Sequence, residues 1–298
     1  MIHVGVLVAM GIAWGSTQPL GKIAVSTGYG FFGLIFWQLV VGALVLGAIA
    51  LSQGRFWPGW RGMGFAVLIA CIGTIIPNST FYISVGRLPA GIMSILIATV
   101  PLIAFPIALA LGMDRPSWQR VAGLGCGLAG VALIALPRAS LPSSDMVAYL
   151  PLALVGPLFY AIEGNFVARF GTAGMTAVQA MFLVSVVGAV LVLPLVLLSG
   201  QWIDPFRPWG RPEWALIAAS TAHSLAYACY VWLAAQAGAV FAAQCAYIVT
   251  GTGVIWATIL LGERFSPWVW AALAVMLAGL ALVQPRPRAM PAKTAVSG

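Results

Sequence analysis

Long apolar runs separated by short polar stretches occupy the whole length of the chain. Each run holds about 20 residues, the length that a helix needs to cross the hydrocarbon core of a bilayer. Segments rich in Pro, Gly and charged residues separate the runs, and we interpret them as connections. The pattern predicts ten membrane-spanning helices, numbered span 1 to span 10, at residues 3–24, 30–52, 63–84, 88–111, 117–136, 148–169, 174–198, 212–236, 239–261 and 266–284.

Composition supports a membrane environment and excludes several classes of protein. Hydrophobic residues make up 62% of the 298 positions and charged residues only 7%, whereas a soluble domain carries about 25% charged residues. The net charge of +8 does not indicate a nucleic-acid partner, because the basic residues lie between apolar runs as membrane-interface anchors. The four cysteines fall inside predicted spans without metal-ligand spacing, so we expect free thiols, no metal and no cofactor.

The chain carries signs of an internal duplication. A shift of 149 positions places Gly15 on Gly164 and Asp114 on Glu263, and it aligns the "LAG" at 128–130 with the "LAG" at 277–279. Five spans per half is an odd number, so the second half must enter the membrane in the opposite sense. The expected fold is an all-α integral membrane protein of two five-helix inverted repeats around a central cavity. The repeats cover residues 1–140 and 141–285, and a disordered cytoplasmic tail covers 286–298.

Two sequence motifs carry a resemblance to a known family. They are "AWGSTQPLGKIA" at 13–24 and "LLGERFSPWVWAALAVMLAGLALV" at 260–283, with Pro101 in span 4 as a third matching feature. With them the chain resembles the ten-helix EamA-type branch of the drug/metabolite transporter superfamily, and within it the aromatic amino-acid exporters of bacterial inner membranes. Two positions depart from the family pattern, since Gln38 stands where many members have Arg and Thr250 where they have Pro.

Polar side chains inside the spans are candidates for a substrate cavity, because a polar group facing lipid is costly. Asn78 and Tyr82 share one face of span 3 with Thr74, and the 149 shift places Asn78 and Thr74 on two polar residues of span 8. We therefore predict a cavity lined by spans 1–4 and 6–9, with spans 5 and 10 as scaffold or subunit contact. The candidate substrate-binding residues are Trp14, Gln18, Gln38, Asn78, Tyr82, Glu163, Asn165, Gln179, His223, Tyr227, Gln244 and Tyr247.

A structural role is the alternative for several of these residues. The amides of Gln18, Asn78, Gln179 and Gln244 can pair between helices, and His223 can be a packing residue. Glu163 lies in the apolar segment "YAIEGNFVARF" at 160–170, opposite Trp14 under the 149 shift. It is either a cavity group that touches a substrate ammonium or a proton, or a protonated or hydrogen-bonded structural acid.

These patterns predict a carrier that exports amino acids, neutral or aromatic, and related small metabolites by alternating access. A pocket of amides, hydroxyls and rings binds a zwitterion and an apolar side chain together. The alternatives are a translocase of lipid or lipid-linked substrates, and an efflux carrier for cationic aromatic compounds. An enzyme is disfavoured because no catalytic cluster occurs, and a channel because no ring of like charges occurs. Proton exchange and facilitated diffusion both remain open.

The predicted location is the cell inner membrane. The side that holds both chain termini carries slightly more Lys and Arg than the other side, which places both termini in the cytoplasm. The expected partners are a small-molecule substrate and the lipid bilayer, with the chain as a monomer or weak dimer.

Overall fold

The architecture was determined from a computed structural model that describes residues 2–52, 54, 58–135, 140–237 and 244–283. All regular secondary structure in these ranges is helical. The predicted disordered tail at 286–298 lies outside the described residues, as do the loop positions Arg55 and Arg138 that contributed to the charge comparison.

Ten helical segments occupy the described part of the chain, and their bounds match the ten predicted spans within a few residues. The all-helical membrane fold is therefore confirmed. In order, the spans are Ile2–Gly15 with Thr17–Val25, Phe31–Ser52, Gly59–Val85, Ala90–Ala110, Trp118–Ala135, Leu150–Phe170, Ala177–Leu198, Arg211–Ala237, Cys245–Leu261 and Pro267–Val283.

Length and composition let most of these segments cross a bilayer individually. Spans 2 to 7 are each at least 18 residues long and strongly apolar. Spans 9 and 10 are shorter apolar helices of 17 residues in their described parts. Span 1 is divided at Ser16, and span 8 is a helix of 27 residues that carries more polar side chains.

Three spans of the first half are interrupted, each close to a proline. Span 1 breaks at Ser16, three residues before Pro19, and span 4 breaks at Ala98, three residues before Pro101. Span 3 instead contains a π-helical segment at Ala70–Ile75, which ends two residues before Pro77. Because Pro77 has no N–H to donate to the carbonyl four residues earlier, the α-helical ladder cannot continue through it. The chain adopts the wider π-helical bonding there.

The contacts between helices repeat when each span is replaced by its equivalent in the other half. Span 5 packs along span 10, and span 2 packs along span 7, so equivalent spans of the two halves are neighbours. Span 1 packs on spans 8 and 9, and its equivalent, span 6, packs on spans 3 and 4. The same set of contacts is therefore built twice, as the duplication predicts.

Spans 5 and 10 approach closely on small residues. A Cβ atom added to Gly123 would lie 2.7 Å from the carbonyl oxygen of Gly279, and one added to Gly279 would lie 2.8 Å from that of Gly123. Only glycine at both positions permits this backbone separation. The glycine-rich surface of span 5 thus packs inside the protein against span 10, as the scaffold interpretation predicts.

An ion pair joins the two motifs that carry the family resemblance. Lys22 at the end of span 1 lies 3.2 Å from the Glu263 carboxylate in the turn between spans 9 and 10. Glu263 also accepts hydrogen bonds from the backbone N–H groups of Ala90 (2.8 Å) and Gly91 (3.0 Å), at the N-terminus of span 4. A carboxylate is favoured there because the first N–H groups of a helix have no intrahelical acceptor. The two halves are thereby joined at one end of the bundle.

The connection between spans 7 and 8 packs at the same end of the bundle as the ion pair between Lys22 and Glu263. Gln201 accepts a hydrogen bond from the Phe32 N–H (2.9 Å), and the Trp37 indole N–H donates to the Ile203 carbonyl (3.0 Å). Tyr29, in the loop between spans 1 and 2, donates to the Glu213 carboxylate. Burial and this neighbouring carboxylate raise the pKa of Tyr29, which keeps the phenol protonated as the donor.

Candidate functional site

A central cavity of about 460 Å³ lies between the two halves of the bundle. Nine of the ten spans contribute to its lining, and span 5 is the exception among the residues that the structure describes. Eight of the twelve predicted site residues lie in the lining: Trp14, Gln18, Gln38, Asn78, Tyr82, Glu163, His223 and Tyr227.

Tyrosine hydroxyls pair with amide oxygens on one wall of the cavity. Tyr82 of span 3 donates to the side-chain oxygen of Gln38 on span 2 at 2.8 Å. The Tyr160 hydroxyl of span 6 lies 3.4 Å from the side-chain oxygen of Asn78, at the long limit of a hydrogen bond. Both amides thereby keep their NH₂ groups as donors toward a bound molecule.

Trp14 and His223 connect the two halves across the cavity. The indole N–H of Trp14 donates to Nδ1 of His223 at 3.1 Å, and the rings meet edge to face with centroids 5.6 Å apart. Because Nδ1 accepts this hydrogen bond, the imidazole is the neutral tautomer with its proton on Nε2. His223 therefore offers the cavity one hydrogen-bond donor and no positive charge.

Glu163 brings the only carboxyl group to the lining in the described part of the chain. Its carboxyl lies against Gly73 in the π-helical segment of span 3, where an added Cβ would be 2.6 Å from the carboxyl carbon. Among the described residues it has no hydrogen-bond or ion-pair partner, and no Lys or Arg joins it in the lining. The cavity therefore presents a single acidic group surrounded by amides, hydroxyls and aromatic rings.

The Gln18 side chain adds an unpaired acceptor. Its side-chain oxygen is buried at the cavity wall and has no hydrogen-bond partner within the described ranges. A buried acceptor without a partner carries a desolvation cost of ~1–3 kcal/mol. A ligand that donates a hydrogen bond at this point would remove that cost, so Gln18 is suited to a substrate N–H or O–H.

Asn165 and Gln179 lie away from the cavity, which differs from the prediction. The side-chain NH₂ of Asn165 donates to the carbonyls of Ala104 (3.1 Å) and Ala161 (2.9 Å), and so joins span 6 to span 4. Two residues along a helix lie on roughly opposite faces, so Asn165 cannot share the orientation of Glu163. Gln179 forms a capping box with Thr176 at the start of span 7.

Gln244 and Tyr247 also lie outside the lining. They stand at the start of span 9, where Cys245, Ala246 and Val249 form the wall of the cavity instead. Span 10 differs from its predicted role as well, because Leu280 and Val283 near its end extend into the cavity. Span 10 therefore packs on span 5 and also lines the cavity with residues near its end.

Sequence reasoning left several lining residues out of the predicted site. Tyr160 is three residues before Glu163 on the same helical face, so the spacing alone was sufficient to predict it as a lining residue. Ser185, Ser220 and Ser224 also line the cavity. The hydroxyls of Ser185 and Ser220 donate to carbonyls of their own helix at 2.8 and 2.7 Å, the usual arrangement for a serine in a membrane helix.

Comparison with known families agrees with this architecture. The sequence profile of the EamA-like transporter family matches residues 1–136 and, a second time, residues 148–284. The two matches together cover nearly the whole chain, one on each group of five spans.

Individual relatives and a solved structure are similar over almost the full length. A protein of Streptantibioticus cattleyicolor named probable terminal-alkyne amino-acid exporter is 24% identical, over 94% of this chain and 92% of its own. The uncharacterized inner membrane transporter YedA of Escherichia coli K12 is 26% identical, over 98% of this chain and 94% of its own. A crystal structure of a protein 18% identical in sequence shares the fold with a TM-score of 0.59, over 93% of this chain and 94% of that one.

Proposed function

Because the chain belongs to the EamA-like transporter family, we propose that this multi-pass membrane protein exports amino acids, neutral or aromatic, by alternating access. The observation that carries the proposal is the lining of the central cavity, which combines one carboxyl with neutral donors and several aromatic rings. An ammonium group is matched by Glu163, and a substrate carboxylate by the NH₂ groups of Gln38 and Asn78 and by Nε2–H of His223. Apolar lining and rings then accommodate the side chain.

The size and character of the cavity support a small substrate. Its volume of about 460 Å³ falls within the ~300–1,000 Å³ of typical small-molecule sites. Trp14, Phe81, Tyr82, Tyr160 and Tyr227 place aromatic rings around it. Ring faces attract an organic cation as well as apolar groups. A protein of similar sequence is named a probable terminal-alkyne amino-acid exporter, which supports an amino acid as the class of substrate.

The proposed orientation places both termini in the cytoplasm, from the slight excess of basic residues on that side. The end of the bundle that holds the Lys22–Glu263 ion pair then faces the outside. Export requires the cavity to load from the cytoplasm and to release its substrate at that outer end.

The test is uptake of labelled amino acids by liposomes that contain the purified protein. We expect flux down a gradient for neutral and aromatic amino acids, and a rise of about ten-fold in the half-saturating concentration for Trp14→Phe, which removes the hydrogen bond to His223. Trp256→Phe is the matched control, because its indole N–H donates to the Ile12 carbonyl (2.9 Å) outside the cavity lining. No flux for any amino acid tested, with folded protein, would contradict the proposal.

Cationic aromatic compounds are a second candidate substrate class, favoured by the single carboxyl among aromatic rings. The same liposomes, offered a quaternary aromatic dye, distinguish the two classes. Dye flux without amino-acid flux would assign the protein to the efflux of cations, whereas competition of the dye with labelled amino acid would place both in one cavity.

A further inference from the structure

We propose that a groove between the start of span 3 and the end of span 6 binds one anionic phospholipid, with its phosphate on Arg61 and an acyl chain between the helices. The groove has a volume of about 580 Å³ and, in the described part of the chain, shares no residue with the lining of the central cavity. Its walls include Arg61, Gly64, Phe65 and Leu68 of span 3 and Phe166 and Phe170 of span 6.

The interior of the groove is apolar and contains open space. The Phe166 ring contacts two others, with ring centroids 6.5 Å from Phe65 and 4.9 Å from Phe170. Leu68 and Phe170 are 38% and 67% exposed, and a Cβ atom added to Gly64 would have nothing within 4 Å. Apolar surface gains free energy when a hydrocarbon chain covers it. The groove therefore fits an acyl chain and not a water-soluble ion alone.

Arg61 brings a positive charge to the groove, and it is exposed. Arg169 adds a second exposed arginine three residues after Phe166, on the neighbouring turn of span 6. Neither arginine forms an ion pair or a side-chain hydrogen bond with any residue that the structure describes. The connecting segments at 53–58 and 171–176 contain no acidic residue. Because arginine binds phosphate through two parallel N–H donors, the headgroup phosphate of a lipid supplies the missing partner.

Trp60 indicates the depth of Arg61 in the membrane. It is 93% exposed, and an exposed tryptophan at the end of a span lies at the level of the lipid headgroups. Successive spans alternate in direction, so this end of the bundle is opposite the end that holds the Lys22–Glu263 ion pair. In the proposed orientation it faces the cytoplasmic leaflet, where basic pockets between helices bind anionic headgroups. The choice of leaflet rests on that orientation, whereas the binding does not.

The loop between spans 6 and 7 adds neutral donors to the same groove. Ala173 and Gly174 line it with φ angles of 54° and 82°, in the left-handed region. Within the described ranges, Ala173 is the only residue other than glycine with a positive φ, a conformation that is uncommon for a residue with a Cβ atom. The N–H groups of both residues donate to no acceptor among the described residues. Successive N–H groups of this kind form anion-binding concavities, which suits a phosphate oxygen.

Charge disfavours the two other occupants that the chain itself could supply. The segment after Val283 holds two arginines and a lysine and no acidic residue, so it would bring like charges together. A second copy of the chain offers one acidic residue in the connections at this end, Asp114, and that residue is paired with Arg120 of its own chain. A membrane lipid of net negative charge supplies both the counter-charge and the apolar chain.

The test measures lipid retained by the purified full-length protein in a neutral detergent, by native mass spectrometry. The probes are phosphatidylglycerol and phosphatidylcholine with identical acyl chains. We expect one phosphatidylglycerol per chain, at a half-saturating concentration about ten-fold below that of phosphatidylcholine, and a higher thermal unfolding temperature in its presence. Equal retention of the two lipids would overturn the proposal. Displacement of the lipid by an equal concentration of glycerol phosphate would also overturn it, as would a dimer mass in place of the lipid adduct.

Two variants test the charge and the space separately. Arg61→Gln should raise the half-saturating concentration of phosphatidylglycerol about ten-fold and leave that of phosphatidylcholine unchanged. Gly64→Leu fills the groove and should lower the retention of both lipids. The matched controls are Arg115→Gln, an exposed arginine at the same end, and Gly125→Leu on span 5, where an added Cβ also has nothing within 4 Å. Retention equal to wild type in either Arg61→Gln or Gly64→Leu would contradict this site.

Discussion

Spans 3 and 8 occupy equivalent places in the two halves, yet only span 3 is interrupted. Span 3 changes from α-helical to π-helical bonding over Ala70–Ile75 just before Pro77. Span 8 runs as one α-helix of 27 residues, and Ala226 stands at the position equivalent to Pro77. The two spans face the same cavity, one with a deformable backbone and the other with a continuous one.

The same difference extends to other pairs of spans. Span 1 breaks near Pro19, whose equivalent in the unbroken span 6 is Ala168, and span 4 breaks near Pro101, whose equivalent in span 9 is Thr250. Proline alone does not interrupt a helix in this protein, because Pro106, Pro157 and Pro194 lie inside continuous helices. Residues beside each of the three interruptions line the cavity, as does Pro157 within the continuous span 6.

This comparison indicates a division of labour between the halves. The packing contacts recur in both halves, whereas the helix interruptions lie in the first half as far as the described residues show. The second half supplies Glu163 and His223 from continuous helices, and the first half supplies the deformable segments that surround them. We infer that the first-half spans bend against a stiffer second half when the cavity changes sides.

The largest expected effect is a loss of stability when a continuous helix of the second half is interrupted. Ala226→Pro places a proline inside span 8, where it removes a helical hydrogen bond and collides with the preceding turn, at a cost of ~3 kcal/mol or more. Ala226 is also buried in the helix packing. We expect a large fall in the thermal unfolding temperature of the detergent-solubilised protein, and an unfolding temperature equal to wild type would refute the claim that span 8 needs its continuity.

The converse change should affect transport more than stability. Pro77→Ala permits α-helical bonding through span 3, and the loss of the π-helical turn would rotate Asn78 and Tyr82 by about 100° relative to the preceding part of the helix. The hydrogen bond from Tyr82 to Gln38 would then be lost. We expect labelled amino-acid uptake to fall by about ten-fold or more. Pro106→Ala, inside the continuous segment Thr99–Ala110 of span 4, is the control and should transport normally. Equal uptake by both variants would count against the hinge.

The ion pair between Lys22 and Glu263 offers a smaller and separable effect. A double-mutant cycle with Lys22→Met and Glu263→Gln should give a coupling energy of ~1 kcal/mol in unfolding, since both side chains are largely removed from water. Because this pair joins the halves, its variants should also change the transport rate. Asp114, the first-half equivalent of Glu263, pairs with Arg120 within its own half. Asp114→Asn should lower stability without a specific effect on transport. Identical behaviour of the two pairs would argue against the Lys22–Glu263 pair as a link between the halves.

The smallest effect is expected at the start of span 7. Thr176→Ala removes the hydroxyl that accepts from the Gln179 N–H at 3.2 Å, and loss of such a cap costs ~1 kcal/mol. Gln179→Ala removes the reciprocal bond to the Thr176 N–H at 3.1 Å. Both variants should unfold at a slightly lower temperature and keep wild-type half-saturation for amino acids. A changed half-saturating concentration in Gln179→Ala would contradict a purely structural role and would indicate that Gln179 acts in substrate binding.

Much of the fold follows from simple sequence patterns. The run lengths predicted the ten spans, and the 149-residue shift predicted that Asn78 and Tyr227 would occupy matching places, both now found in the cavity lining. The roles of Asn165 and Gln179 were also accessible from sequence. Asn165 is two residues from Glu163 and so lies on another face, and Thr176 with Gln179 has the spacing of a capping box.

Other features depend on tertiary contacts that no local pattern encodes. The hydrogen bond between Trp14 and His223 joins residues 209 positions apart. The close approach of the Glu163 carboxyl to Gly73 requires two helices to meet at a particular rotation. The π-helical turn has a local cause in Pro77, but Pro106 and Pro157 show that the same residue elsewhere leaves the helix intact. The outcome is decided by the neighbouring spans.

Counterflow in liposomes tests most directly whether this cavity alternates between the two sides of the membrane. Vesicles are preloaded with unlabelled phenylalanine and diluted into a trace of labelled phenylalanine. Because the carrier returns across the membrane loaded, the label should accumulate transiently above its equilibrium level, and this overshoot should be strongly reduced in Pro77→Ala. Entry of label that only equilibrates, at a rate independent of the internal phenylalanine, would contradict an alternating-access carrier.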